Sequence, residues 1–251
     1  MSTHRKTPLK IEVTESHQCS VDLRLKILHG LPFFADLPHA DIEQINRLFH
    51  EYGYPPNETI CFAGDAAERL FVLADGRVKL MRYSTSGKNI LLDMLKPGEF
   101  FGSLSAQDND VYPDTAEAQT QTCVLSIRAA DFHRVLEKYP KVALKVLEIT
   151  SARLYEARER VRQLSALTVE GRVANVLLVL GRKFGKRSDV GLLIESPLAR
   201  DNLAAMTGTT TESASRVMSQ FQKDGLIRTG RKWVSILDQS ALERIAEAES
   251  E

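Results

Sequence analysis

The sequence has no long hydrophobic run, and it has no excess of charge of either sign. No stretch of about 18 consecutive apolar residues occurs, so a membrane-spanning helix is not expected. The first residues carry charges without an apolar core, so a signal peptide is not expected either. The 33 Lys and Arg residues balance the 33 Asp and Glu residues. A global positive field that would draw nucleic acid is therefore absent.

Cysteine is scarce and widely spaced. The three cysteines, Cys19, Cys61 and Cys123, are odd in number and do not fit a disulfide framework. We expect each to be a small buried or indifferent residue of a protein in a reducing cytoplasm. No pair among the six histidines has the spacing of metal ligands, and no Ser-His-Asp order or phosphate loop stands out. We therefore expect no metal site, no catalytic residue and no enzymatic activity.

Glycine and proline divide the middle of the chain into short apolar runs. Runs of this length between regular turn residues are typical of strands in an antiparallel barrel or jelly roll. Residues 1 to about 20 are polar and lack periodicity, which indicates a mobile arm, and helices are expected at 23–31 and 38–49. The predicted strands are 59–62, 70–73, 78–83, 90–95 and 123–127.

A helical pattern follows from residue 129 to residue 164 and restarts at Pro140. Beyond Pro140 a narrow seam of apolar and small residues recurs at heptad spacing, with charged residues around it. Such a seam predicts pairing with a second copy of the chain. The alternative is a seam packed on the barrel of its own chain. The seam consists of Leu147, Thr150, Leu154, Ala157, Val161 and Leu164.

Two shorter helical patterns near the C-terminus are separated by Gly208. The second has a buried stripe at helical spacing and a polar face, which is typical of the recognition helix of a helix-turn-helix. The alternative is an ordinary helical hairpin with a solvated face. The stripe consists of Ala214, Val217, Met218 and Phe221, and the polar face includes Glu212, Ser215 and Arg216.

A two-stranded wing is expected after the recognition helix. Short strand patterns at 226–228 and 233–236 flank a turn that contains Gly230, Arg231 and Lys232. Between residues 165 and 237, 11 Lys and Arg residues face 6 Asp and Glu residues, a local excess of positive charge. Local cations are sufficient for DNA, because affinity comes from the phosphates that are contacted.

These stretches together resemble the CRP/FNR family of bacterial transcription regulators, over residues of about 31 to 236. The resemblance is carried by 70–73 with 75–79, by PGEFFG at 97–102, by EGRVA at 170–174 and by GTTTESASR at 208–216. It implies an α+β protein: a mobile arm (1–25), a cyclic-nucleotide-binding-type β-barrel of jelly-roll form (26–134), a dimerisation helix (135–166) and a winged helix-turn-helix (167–251). It also implies a homodimer, double-stranded DNA and RNA polymerase as partners.

The resemblance places a candidate effector pocket at Gly102, Ser103, Leu104, Asp114 and Thr115. Sensors of cyclic AMP in the family hold the phosphate with an Arg where this chain has Asp114, and an acid repels a phosphate that an Arg attracts. The base-binding hydroxyl pair of those sensors is replaced by Ala157 and Arg158. Cyclic AMP is therefore not expected as the effector.

Other family cofactors are not expected either. Three dispersed thiols cannot supply the four Cys ligands of the oxygen-sensing branch's [4Fe–4S] cluster. Haem is a further option within the family, but no histidine pair supports it. The alternative function is a regulator that senses redox state through cysteines, for instance Cys19 with Cys123, or nitric oxide through haem.

The recognition helix resembles that of the FNR branch, in which the positions of Glu212, Ser215 and Arg216 read a TTGAT-type half-site. Chemically, Arg216 can pair with guanine, Glu212 can accept from cytosine N4, and Ser215 can lie against a thymine methyl. An effector-binding module without a DNA role is a competing function, against which the helix-turn-helix pattern argues. The expected phosphate contacts are Arg200, Thr211, Lys223, Arg231 and Lys232.

Overall fold

The computed structural model describes residues 21–84, 89–104, 110–189, 191–195, 199–230 and 233–248. These residues form two compact units, one of residues 21–84 and 92–151, the other of residues 89–91 and 152–248. The division falls inside a long helix, between Ser151 and Ala152. None of the helices in the described ranges has the length and hydropathy needed to cross a bilayer.

The first unit opens with two helices and continues with two four-stranded sheets, in which only residues 89–91, at the start of one strand, are grouped with the second unit. The helices are α1 (Val21–Gly30) and α2 (His39–Asn46), so helix begins inside the region predicted as an arm. The strands are β1 (His50–Tyr54), β2 (Thr59–Cys61), β3 (Arg69–Asp75), β4 (Val78–Tyr83), β5 (Asn89–Leu95), β6 (Phe100–Gly102), β7 (Thr115–Ala118) and β8 (Thr122–Arg128). The strand orders are β1-β8-β3-β6 and β2-β7-β4-β5.

Alternating side chains of β3 and β8 face two separate apolar cores. One core lies between the sheets and includes Phe71, Leu73 and Val124, with Phe71 stacked on Phe101 at 5.1 Å between ring centroids. The other core packs the opposite faces of these strands against the helices and includes Leu70 and Val72 of β3. Both faces of β3 are thus covered, and five consecutive residues of it are buried.

The helical pattern predicted from residue 129 to residue 164, with a restart at Pro140, forms two helices, α3 (Ala129–Lys138) and α4 (Pro140–Ala166). Pro140 cannot continue α3 because it lacks the backbone N–H, but it is well suited to the first turn of α4. Between them, the Tyr139 hydroxyl donates to Asp41 Oδ1 at 2.8 Å. On α4, Val142 and Val146 are buried in the same core as the helices of this unit.

The second unit includes α4 from Ala152 onward and contains the helix-turn-helix. Its elements are α5 (Val169–Phe184), β9 (Gly185–Ser188), β10 (Gly191–Ile194), α6 (Arg200–Thr207), α7 (Thr211–Lys223), β11 (Ile227–Gly230), β12 (Trp233–Ile236) and α8 (Gln239–Ala246). Its strands form one sheet in the order β11-β12-β10-β9. The predicted sequence of β-sheet domain, long helix and winged helix-turn-helix is confirmed.

Candidate nucleic-acid interface

The turn between α6 and α7 is built by one glycine and one threonine. Gly208 caps α6 in the left-handed conformation (φ 62°), which an L-residue adopts at a cost. The Thr209 backbone N–H then donates to the Ala204 carbonyl at 3.1 Å. Thr210 caps α7, since its Oγ1 accepts from the backbone N–H of Ser213 at 3.1 Å. These caps set the direction in which α7 leaves the turn.

The two faces of α7 differ as the sequence pattern predicted. The stripe of Ala214, Val217, Met218 and Phe221 is buried. On the other face, Glu212 and Arg216 are exposed and Ser215 is half-buried. Within the described part of the chain, the side chains of Glu212 and Arg216 make no hydrogen bond or ion pair, so their polar groups are available to a ligand.

A cleft of about 450 Å³ separates α7 from the start of α5. It is lined from α7 by Ser213, Arg216 and Val217. At its other wall α5 begins, with Thr168 as the cap whose Oγ1 accepts from the Gly171 backbone N–H at 3.1 Å. Arg216 therefore stands at the border between the exposed face of α7 and the cleft.

The predicted phosphate contacts occupy different environments. Lys223 is exposed in the last turn of α7. Arg200 is half-buried in the first turn of α6, and burial lowers the pKa of its guanidinium from the usual value. The Thr211 hydroxyl donates to Asp201 Oδ1 at 2.8 Å, so its proton is used in this bond and is not available to a phosphate. Arg231 and Lys232 lie outside the described residues.

In the wing, the ring of Trp233 packs against the backbone of the glycine that it pairs with. Gly230 pairs with Trp233 across the hairpin of β11 and β12. A Cβ on Gly230 would lie 2.3 Å from the Trp233 indole, so the ring occupies the space above the glycine backbone. The strand β11 also carries the exposed side chain of Arg228, a cation that the sequence analysis did not assign.

In the candidate effector pocket of the first unit, the predicted hydroxyl side chains make hydrogen bonds to other residues of the same unit. Ser103 is buried, and its Oγ donates to Asp110 Oδ2 at 3.2 Å. Thr115 is buried as well, and its Oγ1 accepts from the Ala63 backbone N–H at 3.1 Å. Leu104 packs, partly buried, against the core under the helices.

Two further positions of that pocket are constrained by their neighbours. Asp114 accepts from Arg82 Nε at 2.9 Å, an ion pair whose cation the sequence analysis did not identify. A Cβ on Gly102, whose φ is +92°, would lie 2.6 Å from the Arg69 carbonyl oxygen. Asp114, at the position of the family's phosphate-binding Arg, is therefore paired with a cation of β4 in its own domain.

The cysteines differ from one another in state. Cys61 is a buried free thiol, and burial raises its pKa to about 12. Cys123, on β8, is disulfide-bonded and nearly fully buried. Cys123 is thus buried as expected, but the expectation that the cysteines form no disulfide is wrong for it, and a bonded sulfur can be neither a free thiol nor a cluster ligand. Cys19 lies outside the described residues.

A histidine pair is brought together that the sequence spacing did not predict. His29 Nε2 and His39 Nδ1 are 2.7 Å apart, and the two rings stack at 4.9 Å between centroids. Glu43 lies 3.3 Å from the other ring nitrogen of His39. Within the described ranges no group of three or more His, Cys, Asp and Glu residues is arranged to hold a metal ion.

The predicted seam on α4 faces solvent. All six of its residues are exposed, including Leu147 (63%), Leu154 (53%) and Val161 (65%). Leu164, at the end of the seam, also approaches the turn of the helix-turn-helix, since a Cβ on Gly208 would lie 3.3 Å from its Cδ2. The residues of α4 that pack inward are others, Val142 and Val146.

Comparison with known proteins matches both units. Residues 53–139 match the Cyclic nucleotide-binding domain family, and residues 171–245 match the Crp-like helix-turn-helix domain family. The Cyclic AMP receptor protein of Thermus thermophilus is 30% identical over 219 residues, which cover 87% of this chain and 98% of that protein. The chain belongs to the CRP/FNR family of transcription regulators. Its membership accounts for the order of a β-sheet domain, a long helix and a helix-turn-helix.

Two other relatives extend the comparison within the family. The Transcriptional activator protein FnrA of Stutzerimonas stutzeri is 27% identical over 217 residues, 86% of this chain and 88% of that protein. The structure of FixK2 from Bradyrhizobium japonicum superposes with a TM-score of 0.72 at 22% identity, covering 80% of this chain and 99% of that one, which supports the fold.

Proposed function

We propose that this transcription regulator works as a homodimer that binds a palindrome of TTGAT-like half-sites through Glu212, Ser215 and Arg216. The observation that carries the proposal is the exposed polar face of α7, on which Glu212 and Arg216 have no partner among the described residues. The face opposite is anchored by the buried stripe, so these side chains are held on a rigid helix. Recognition helices place such N-terminal side chains against base edges in the major groove.

The chemistry of the three side chains supports the half-site. A guanidinium can bond both O6 and N7 of a guanine, and a carboxylate can accept from cytosine N4. Arg216 and Glu212 are separated by one helical turn, so they can meet neighbouring base pairs. Ser215 is small enough to lie beside a thymine methyl. Arg200, Lys223, Arg231 and Lys232 are proposed to hold the backbone phosphates.

The dimer is proposed to form along the seam of α4. Apolar side chains that remain exposed along one face of a long polar helix are typical of a coiled-coil interface. Leu147 is 63% exposed within the unit that contains the barrel, which argues against the alternative, in which the seam packs on its own barrel. Two copies related by a two-fold axis place two recognition helices about 10 base pairs apart, which matches a palindrome.

The sheet domain is proposed not to respond to cyclic AMP. Asp114 is paired with Arg82, and Ser103 and Thr115 bond to other groups of the same domain. A cyclic phosphate would have to displace the carboxylate of Asp114 from its cation to gain a comparable contact. Titration calorimetry at millimolar nucleotide is expected to show no heat of binding. Micromolar affinity would contradict this part of the proposal.

Sensing of redox state is a second candidate function of the sheet domain, and the disulfide at Cys123 favours it. Oxidation of two thiols forms one S–S bond and passes two electrons and two protons to a peroxide or a disulfide oxidant. Denatured oxidised protein should then react with one equivalent of an alkylating reagent, and reduced protein with three. DNA affinity should differ between the two forms and become equal in Cys123→Ser, with Cys61→Ser as the control.

The DNA proposal is tested by fluorescence anisotropy with a TTGAT-N4-ATCAA duplex and a scrambled duplex. Arg216→Ala is expected to cost roughly 1–3 kcal/mol on the specific site and little on the scrambled one. Lys223→Ala, a cation of the same helix, should weaken both duplexes alike and lower the salt slope. Equal weakening of both duplexes by Arg216→Ala would assign Arg216 to a phosphate instead.

RNA polymerase is the proposed partner of the DNA-bound dimer. Transcription from a template carrying the palindrome, with and without the protein, measures the direction of regulation. We expect activation that depends on the palindrome. Transcription that is unchanged when the site is saturated would contradict the proposed partner.

A further inference from the structure

One side-chain contact joins the two helices of the helix-turn-helix at their exposed ends. Thr211 is the first residue of α7, and its hydroxyl donates to Asp201 Oδ1 at 2.8 Å. Asp201 lies in the first turn of α6. Both side chains are exposed. The contact therefore lies at the N-terminal end of the helix that is proposed to read DNA.

The contact determines which groups of Thr211 remain for a ligand. A carboxylate only accepts, so the threonine hydroxyl proton is directed at Asp201. Because threonine is branched at Cβ and has few χ1 states, holding its Oγ1 also holds its Cγ2 methyl in one direction. The negative charge of Asp201 also makes this corner unfavourable for a phosphate. Thr211 is consequently better suited to a base edge than to the backbone.

We propose that Asp201 is a positioning residue for base recognition: it fixes Thr211 so that the threonine methyl meets the C5-methyl of one thymine in each half-site. Apolar contact with this methyl is how side chains distinguish thymine in the major groove. The proposal rests on the proposed DNA function and names a specificity determinant within it. It replaces the phosphate contact expected for Thr211 with a base contact.

The proposal is tested by replacing each thymine of the TTGAT half-site, in turn, by deoxyuridine, which lacks only the methyl group. At one position the full-length protein should bind about fourfold more weakly per half-site, the factor that burial of one methyl group provides. Substitution in both half-sites should give about fifteenfold. An effect at the thymine assigned to Ser215 should persist in Asp201→Ala, and the thymines assigned to neither side chain serve as internal controls on the same duplex.

Three variants separate positioning from simple contact. Asp201→Ala should lose the deoxyuridine effect at that position and keep its preference for the rest of the site. Asp201→Asn keeps an acceptor for the Thr211 hydroxyl and should restore the effect. Thr211→Ser keeps the hydroxyl, lacks the methyl and should lose the effect. Scrambled-duplex affinity and circular dichroism report whether each variant is folded.

The outcomes are distinguishable from failure of the DNA function itself. Wild-type protein that does not prefer the TTGAT duplex over the scrambled one would refute the proposed function, and this inference with it. Wild-type protein that prefers the duplex but ignores deoxyuridine at every position would refute the methyl contact alone. An undiminished deoxyuridine effect in Asp201→Ala would refute the positioning role.

Discussion

Leu154→Glu is expected to convert the dimer to monomers. Leu154 is 53% exposed in the single chain. Burying this exposed part in the dimer interface should contribute about 1 kcal/mol to the free energy of association, roughly half the value for a fully buried leucine. A dimer contains the residue twice, so Leu154→Ala should raise the dimer Kd about thirtyfold, the equivalent of about 2 kcal/mol. Two facing carboxylates in an apolar contact add several kcal/mol more, so Leu154→Glu should raise it about a thousandfold or beyond.

Sedimentation equilibrium over a range of protein concentrations measures this change as a shift from the mass of two chains to that of one. Ala152→Glu is the matched control, because Ala152 is exposed on the same helix but lies outside the heptad seam. It introduces the same charge and should leave the dimer intact. If Leu154→Glu retains the dimer mass at every concentration at which Ala152→Glu does, the seam is not the interface.

Three further predictions concern the fold around the sites. Met218→Ala should lower the free energy of unfolding by about 2–5 kcal/mol because Met218 is fully buried, whereas Ser219→Ala, on the exposed face, should change it by less than about 0.5 kcal/mol; urea denaturation of both variants measures the contrast. Cys61 should resist a thiol reagent at pH 8 in native protein and react once the protein is denatured, because burial excludes the reagent and raises the pKa to about 12; fast native labelling would refute its burial. Hydrogen bonds from Arg128 and Arg134 hold the pKa of the Asp131 carboxyl below its usual value. The stabilisation that this carboxylate contributes is therefore present above the unfolded pKa near 4 and is lost as the pH falls through the folded pKa. Asp131→Asn should make the free energy of unfolding depend less steeply on pH in this acidic range, and an unchanged slope would contradict the assignment.

Local patterns were sufficient for the elements whose residues follow one period. The stripe of α7 could be placed from spacing alone, because one side of that helix must be buried. The strands β1, β6 and β7 were missed. β1 contains Gly53, β6 has three residues, and β7 is rich in alanine, so none shows the β-branched run by which a strand is recognised.

The helix α8, in the acidic C-terminal tail, was not predicted either. The helix α8 begins at a cap in which Asp238 accepts from the Ala241 backbone N–H at 2.8 Å, and it buries Leu242 and Ala246. With so few apolar positions, its burial depends on contact with α5. The hairpin of β9 and β10 was missed for a similar reason, since exposed basic residues fill β9 and its pairing is supplied by β10.

The sequence by itself determined the architecture through its resemblance to the family, and it determined the face of α7 that is proposed to read DNA through periodicity and caps within a few residues. Only the tertiary structure decided how the charged and sulfur groups are used. It paired Arg82 with Asp114, placed Asp201 beside Thr211 and bonded Cys123 while leaving Cys61 free. A hydrogen bond or a disulfide depends on distances of a few ångström between residues far apart in the chain, and such distances exist only after the strands and helices have packed.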